Sequence, residues 1–456
     1  MPPFTRHISR RRITVFSVET VLISMTVFGA SVAHGQLDQA VDGAWQIAII
    51  TAVCALSFYW NELYDLTVVD TPSEVVIRVM QASGVAAIAI ALGSALVPSL
   101  LIADGVLLTS LLFLLVVVPA WRLVAQSVAH DHRLEERVLV VGTGVTARMV
   151  AAQMEAQRDF PYHCVGYTAE MAADPGAAAP DRTLGSNADL AQIIATHRID
   201  RIVVSMTDRR GTLPLKELLA AKLAGVVVED AATMYERLTG KLLLDDIKPS
   251  WLIFSDGFHV SRTTRVVKRL LDTICAGVGL ILASPLALLT MLAIRLDSTG
   301  DVLYRQERVG RGGRIFTLYK FRSMRADAEH GVPVWAREND DRVTRIGRLI
   351  RKARLDEIPQ LWNVLRGDMS LVGPRPERPF FVSQLAEQIP FYMERHCVRP
   401  GVTGWAQVRY HYGASIDDAV EKLRYDLYYI KHQSVTFDLA IALDTIKVIL
   451  VGKGAQ

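Results

Sequence analysis

The sequence predicts a chain that is membrane α plus α/β: four transmembrane helices, a Rossmann-like doubly wound domain, and a mainly α domain with a re-entrant helix. Three observations predict it. Apolar residues make up 51% and charged residues 21% of the 456, against about 25% charged in soluble domains, and the mean hydropathy is +0.25. The apolar residues of the first 121 positions gather into four blocks. Beyond about residue 135 the pattern changes to short β-type runs alternating with amphipathic segments. At roughly 150 residues per domain the length fits about three units, and a single small module is excluded. The net charge of +3 is too small to mark a nucleic-acid protein, so no nucleic-acid partner is expected. Cys54, Cys164, Cys275 and Cys397 lie far apart without a CxxC pair, which argues against a disulfide framework and a zinc site.

Residues 1–134 read as an N-terminal arm and four spans. The blocks lie at about 14–33, 44–60, 75–97 and 105–121, each near the roughly 20 residues that a spanning helix needs. Arg6, Arg10, Arg11 and Arg12 precede the first block, which the positive-inside bias places toward the cytoplasm. Between Ile13 and Trp121 there are eight acidic residues and one basic residue, Arg78. The loops at 34–43 and 98–104 carry no Lys or Arg and are expected outside. The loop at 61–74, and the chain after Arg122 with His130, His132 and Arg133, return to the cytoplasm. Trp45, Tyr59, Trp60 and Trp121 fall at block edges, as interface aromatics do. A cleaved signal peptide fits poorly, because three comparable blocks follow the first. No charge sits at the middle of blocks two to four, so the helices read as anchor and not as ion path.

Residues 135–261 read as the Rossmann-like domain. Arg137-Val-Leu-Val-Val141 followed by Gly142-Thr-Gly144-Val-Thr-Ala147 is strand, glycine turn and helix. Further β-type runs occur at about 163–167, 201–205, 225–229 and 251–254, with helix-length segments at 187–197 and 214–224 and a surface loop at 170–181. A GxGxxA turn can cradle a pyrophosphate at a helix N-terminus. The same glycines also serve a tight turn, and no acidic residue ends the second run, so a structural, oligomerising or ligand-sensing role is favoured over a bound dinucleotide.

Residues 262–456 form the third unit. Its apolar stretch 270–296 is long enough to span, yet Arg262, Arg265, Lys268 and Arg269 precede it while Arg295, Arg305, Arg308 and Arg311 follow. Both ends carry the cytoplasmic signature. Pro285 removes a backbone hydrogen bond at the centre, and Ser284 can satisfy freed carbonyls, so a re-entrant helix broken at Ser284 and Pro285 is expected. A kinked true span would instead leave everything after Asp297 on the far side of the membrane.

Beyond that stretch come Lys320-Phe-Arg322-Ser323-Met324, a basic stripe (Arg342, Arg345, Arg348, Arg351, Lys352, Arg354), Leu355-Asp356-Glu357-Ile-Pro359-Gln-Leu-Trp-Asn, Gly367-Asp-Met-Ser-Leu-Val-Gly-Pro374-Arg375-Pro376-Glu377 and Arg399-Pro-Gly-Val-Thr-Gly-Trp405-Ala-Gln407. In this order the motifs resemble the large bacterial sugar transferases, polyprenyl-phosphate hexose-1-phosphate transferases of the monotopic phosphoglycosyl transferase class. Tyr410-His-Tyr-Gly-Ala-Ser415 and the ending Lys453-Gly-Ala-Gln456 look most like the exopolysaccharide-associated branch.

Residue chemistry agrees with that resemblance. Transfer of a sugar phosphate from a nucleoside diphosphate sugar needs a nucleophile, a cation on the diphosphate and fixed positive charge. Pro359 suits the first turn of a helix, which sets Asp356 and Glu357 near a positive dipole end. The resemblance implies that Asp356 attacks the β-phosphate of a UDP-sugar, forms a covalent phosphosugar and releases UMP. Undecaprenyl phosphate would be the acceptor, at the cytoplasmic face of a bacterial inner membrane. Asp356 and Glu357 are also the expected Mg²⁺ ligands, and whether Glu357 holds metal or assists the acceptor's proton stays open. Arg375, held between two prolines, is an expected phosphate clamp, with Lys320, Arg322 and Arg351 as further phosphate-binding residues. The basic stripe recurs at helical spacing, as a solvated face or one lying on anionic headgroups. Trp405, Tyr425, Tyr428 and Tyr429 are expected in packing. The hexose and the oligomeric state, a homodimer included, stay open. Two rivals remain: an ordinary membrane glycosyltransferase that releases UDP, and a non-catalytic nucleotide-sensing membrane regulator.

Overall fold

A computed structural model describes residues 10–35, 44–61, 63–64, 72–97, 99, 105–129, 135–156, 162–169, 182–206, 213–244, 257–325, 342–410 and 415–451. The chain divides into two compact units, Met1–Thr239 and Gly240–Gln456.

The first unit opens with α1 (Arg10–Ala33), α2 (Ala44–Trp60), α3 (Pro72–Leu96) and α4 (Val106–Ala129). Apolar runs of this length become helices in hydrocarbon because a helix satisfies its own backbone polar groups. Thr14–Ala33, Val75–Leu96 and Val106–Val124 are long and apolar enough to cross a membrane, and α2 is a shorter apolar helix of 17 residues, at the low end of the roughly 17–25 that can span. Ile23, Val27, Phe58, Val79 and Leu114 pack in the bundle centre, with Ala30, Ala82 and Ala86 allowing close approach. At one end buried Arg122 pairs with buried Glu19 and donates to the Leu63 carbonyl. At the other, Gln46 donates to the Ser99 carbonyl at 2.7 Å and His34 hydrogen-bonds Thr109 at 2.9 Å. Successive helices therefore alternate in direction.

A five-stranded sheet follows, built from β1 (Glu136–Val141), β2 (Tyr162–Ala169), β3 (Thr183–Ser186), β4 (Arg201–Val204) and β5 (Val227–Asp230) in the order β3-β2-β1-β4-β5. All four pairings are parallel. The helices between and after the strands are α5 (Val145–Ala156), α6 (Leu190–His197), α7 (Leu215–Leu223) and α8 (Ala231–Thr239). Leu139 and Val141 of β1 face α6 and α7 through Leu190, Ile193 and Leu218. The glycine turn after β1 forms as expected, with Gly142 at φ +114°. A Cβ there would lie 2.7 Å from the Ser205 carbonyl oxygen, so the close approach of the chain leaving β4 is enough to require glycine. β3 was not expected from the sequence, and the expected strand at 251–254 and loop at 170–181 lie outside the described residues.

The second unit is mainly helical. Its leading segment packs inward: the Trp405 indole donates to the Gly240 carbonyl at 2.7 Å and the Leu242 amide to the Arg424 carbonyl at 3.1 Å. The 36-residue helix α9 (Arg262–Asp297) is N-capped by Ser261, whose hydroxyl accepts from the Thr264 amide at 3.0 Å. It too is long and apolar enough to cross a membrane. Pro285 lies inside it, and the Ser284 hydroxyl donates to the Ile281 carbonyl at 2.7 Å. After α9 come the hairpin β6 (Leu303–Val309) and β7 (Ile315–Phe321), then α10 (Arg345–Lys352), α11 (Gln360–Arg366), β8 (Ser370–Val372), α12 (Pro379–Gln388), β9 (Gly401–Thr403), α13 (Trp405–Arg409), α14 (Ile416–Lys431) and α15 (Val435–Val451). β6 pairs antiparallel with β7, and β8 parallel with β9. Trp405, Tyr428 and Tyr429 are core residues around Phe437, as expected of them.

Candidate active site

The chain leaves α10 through Arg354, a non-glycine residue in the left-handed region at φ +56°, and enters a 3-10 turn at Leu355–Glu357. Left-handed backbone costs an L-residue about 1–2 kcal/mol, a strain held here by packing on either side. Leu355 and Ile358 sink among Ile294, Phe321 and Ile350. Pro359 then starts α11, its fixed φ suiting that position. Asn363 is fully buried, and its side-chain amide donates to the Thr317 carbonyl at 2.7 Å and accepts from the Tyr319 amide at 3.1 Å. That amide stitches α11 to β7 and so brings Lys320 against the carboxylates.

Asp356 and Glu357 are neighbours in very different circumstances. Arg375 meets Glu357 Oε1 at 2.8 Å, and the Lys320 ammonium and the Arg354 guanidinium each lie 3.7 Å from the same oxygen. Burial alone would push the Glu357 carboxyl up, but Arg375, Lys320 and Arg354 together hold it down to about 2. Asp356 is 8% exposed and has no hydrogen bond or ion pair to any described residue. Burial, and then the negative charge of Glu357, raise its pKa, while Lys320, Arg351 and Arg375 act in the opposite sense. Lys320 is lowered, mainly by burial. Beside the dyad, Gln360 is buried and its Nε2 finds no hydrogen-bond partner among the described residues.

Arg375 sits in a loop whose backbone is tied down on both sides. The Gly401 amide donates to the Pro374 carbonyl at 2.9 Å, Arg308 to the Pro376 carbonyl at 2.9 Å and the Val309 amide to the Glu377 carbonyl at 2.9 Å. Of the expected site residues, Asp356, Glu357, Lys320, Arg351 and Arg375 come together. Arg322 is engaged elsewhere: it is buried, and its guanidinium donates to the carbonyl and hydroxyl of Ser298, at 2.8 and 2.9 Å, where the chain leaves α9. Ser284 and Pro285 lie in α9, away from the dyad in sequence and in contacts. Sequence reading left Arg354 unassigned, although its position three residues before Glu357 was a usable signal. It also passed over Asn363, which carried no signal beyond lying in the same motif.

Among the described residues there is no group of three or more metal-ligating side chains. Mg²⁺ is commonly held by one or two carboxylates together with substrate phosphates. The Asp356 carboxylate, without a hydrogen-bond or ion-pair partner among the described residues, fits that division beside Glu357.

A family model described as bacterial sugar transferase matches residues 263–452, the stretch that contains all of these residues. The chain is 43% identical over 260 residues to a UDP-N-acetylgalactosamine-undecaprenyl-phosphate N-acetylgalactosaminephosphotransferase of Aeromonas hydrophila, an alignment that covers 57% of this chain and 61% of that one. It is 42% identical over 183 residues to a UDP-glucose:undecaprenyl-phosphate glucose-1-phosphate transferase of Xanthomonas campestris pv. campestris, covering 40% and 38%. A protein of the same description from Caulobacter vibrioides is 44% identical over 192 residues, covering 41% of this chain and 71% of its own length. The chain thus spans less than two thirds of the Aeromonas and Xanthomonas relatives and more than two thirds of the Caulobacter one. With the dyad, its cations and the Arg375 loop all inside the matched stretch, the chain belongs to the bacterial sugar transferase family.

Proposed function

We propose that this chain transfers a hexose 1-phosphate from a UDP-sugar to undecaprenyl phosphate, releasing UMP through a covalent phosphosugar on Asp356, as the priming step of exopolysaccharide or other surface-glycan synthesis. The asymmetry of the dyad carries this proposal: Glu357 is neutralised by three cations, and Asp356 is buried with no hydrogen bond or ion pair to any described residue. A carboxylate that no described residue ties down is free to approach phosphorus. In the first step an Asp356 oxygen bonds to the β-phosphorus. The bond from that phosphorus to the oxygen bridging the α-phosphate breaks, and UMP leaves with the electron pair. In the second step an oxygen of undecaprenyl phosphate bonds to the same phosphorus, and Asp356 departs as a carboxylate. Lys320, Arg351 and Arg375 supply fixed positive charge around the reacting group. Mg²⁺ held by Asp356, Glu357 and the donor's phosphates would neutralise the diphosphate. The three relatives' names share undecaprenyl phosphate but divide between N-acetylgalactosamine and glucose, which supports the acceptor more firmly than any one hexose.

The same proposal sets α9 as a re-entrant helix at the cytoplasmic face of the bacterial inner membrane, with the α/β domain as a Rossmann-like accessory on that side. Pro285 inside α9 supports a bend, because a proline removes one backbone hydrogen bond from the helix centre. Close to it Ile281 and Leu282 are 73% and 74% exposed, an apolar surface suited to lipid.

The deciding experiment is product release from a panel of UDP-sugars by the full chain in nanodiscs, with undecaprenyl phosphate and Mg²⁺ present or absent. UMP release that depends on the lipid phosphate, and a phosphosugar trapped on the wild type but not on Asp356→Ala, are expected. Release of UDP, or full turnover by a folded Asp356→Ala, would overturn the mechanism.

A further inference from the structure

Three of the four carbonyls from Pro374 to Glu377 are held by a backbone amide or by Arg308, and the fourth, that of Arg375 itself, is held by a buried charge. Arg395 is 7% exposed and Asp426 is 1% exposed. The Arg395 guanidinium meets Asp426 Oδ2 through Nη2 at 2.7 Å and through Nε at 3.1 Å. Its Nη1 donates to the Tyr392 hydroxyl at 2.8 Å, and its Nη2 also donates to the Arg375 carbonyl at 3.0 Å. The guanidinium stacks over the Tyr392 ring, 5.2 Å from the centroid. A cation this deep needs its partners merely to be tolerated, and part of its hydrogen-bonding capacity is spent on one loop carbonyl.

We infer that Arg395, oriented by Asp426 and Tyr392, is a positioning residue that fixes the backbone of Arg375 and thereby the point at which the Arg375 guanidinium meets Glu357 and the donor's diphosphate. This rests on the transferase function proposed above. Arg375 has a long side chain, and a shift of about 1 Å at its root is enough to misplace a planar clamp. Lysine in place of Arg395 keeps the charge beside Asp426 but has no planar fork with which to reach Asp426, Tyr392 and the Arg375 carbonyl together.

A double-mutant cycle separates positioning from general fold support. UMP release and melting temperature are measured on the full chain, on Arg395→Lys, on Arg375→Ala and on the double variant. Arg395→Lys is expected to lower kcat about 10-fold or more in the wild-type background and less than about 2-fold on top of Arg375→Ala. Its effect on melting temperature is expected to be equal in both backgrounds. Equal fold-losses of kcat in the two backgrounds would overturn the inference and leave Arg395 as a packing residue. Should Arg395→Lys not accumulate, Tyr392→Phe removes one acceptor of the guanidinium and carries the same cycle with a smaller loss. A wild-type chain that releases no UMP fails the transferase proposal before any variant is compared, and takes this inference with it.

Discussion

At the scale of single residues, Asp356 and Glu357 differ by one position in the sequence and by their whole electrostatic surroundings in the fold. Asp356→Asn keeps the volume and removes the nucleophile, so turnover should fall about 10³-fold or more, read as UMP release. Glu357→Gln should leave Arg375, Lys320 and Arg354 facing a neutral amide and lower stability by about 2 kcal/mol, read from urea midpoints in detergent. A separate pH effect comes from His396, which is buried beside Arg395 and held down to about 4 by burial first and that charge second. The unfolded chain takes up a proton on His396 below about 6.5 while the folded chain does not. Its contribution is therefore present above that value and is lost as the pH falls toward about 4. His396→Gln should flatten the decline in melting temperature between pH 7 and pH 5. The dyad was legible in the sequence because it sits in a motif. Its circumstances were not, since Arg375 lies 18 positions from Glu357 and Asp426 lies 31 from Arg395, separations at which a charge shows no partner.

At the scale of elements, legibility followed the length of the signal. The first three apolar blocks gave helices within four residues of their expected bounds, because a run near 20 residues has one stable form in lipid, and the fourth continues eight residues past its expected end, to Ala129. β3 escaped because it is four residues long, half-buried and interrupted by Gly185. The hairpin of β6 and β7 escaped because Arg305 and Arg308 suit a charged flank of the apolar stretch equally well, and Leu303–Val309 is a mostly exposed strand without an apolar face. α9 permits a direct check. Arg262 and Arg295 are both exposed, one near each end, so Arg262→Cys and Arg295→Cys should both react with an impermeant maleimide from the cytoplasmic side only. Labelling from opposite sides would make α9 a true span. α10 permits another: a Cβ on Gly347 would lie 2.0 Å from the carbonyl oxygen of Ser323, just past β7, so Gly347→Ala should push α10 away from that segment and lower stability by about 1–3 kcal/mol, with a loss of turnover because the dyad follows directly.

At the scale of the whole molecule, the membrane helices do more than supply apolar surface. Glu19 and Arg122 are each almost wholly enclosed and face one another across the bundle. Removing one partner of an enclosed pair strands the other charge, at about 3–5 kcal/mol, whereas replacing both by apolar residues is often close to neutral. Arg122→Leu alone should therefore reduce the yield of folded protein more than Glu19→Leu with Arg122→Leu together, scored by monodisperse recovery in detergent. The same pair constrains biogenesis. Glu19 precedes Arg122 by 103 residues, so the carboxylate on α1 is synthesised before α2, α3 and its guanidinium partner on α4. The charge pair that closes the bundle can therefore form only once α4 has been made.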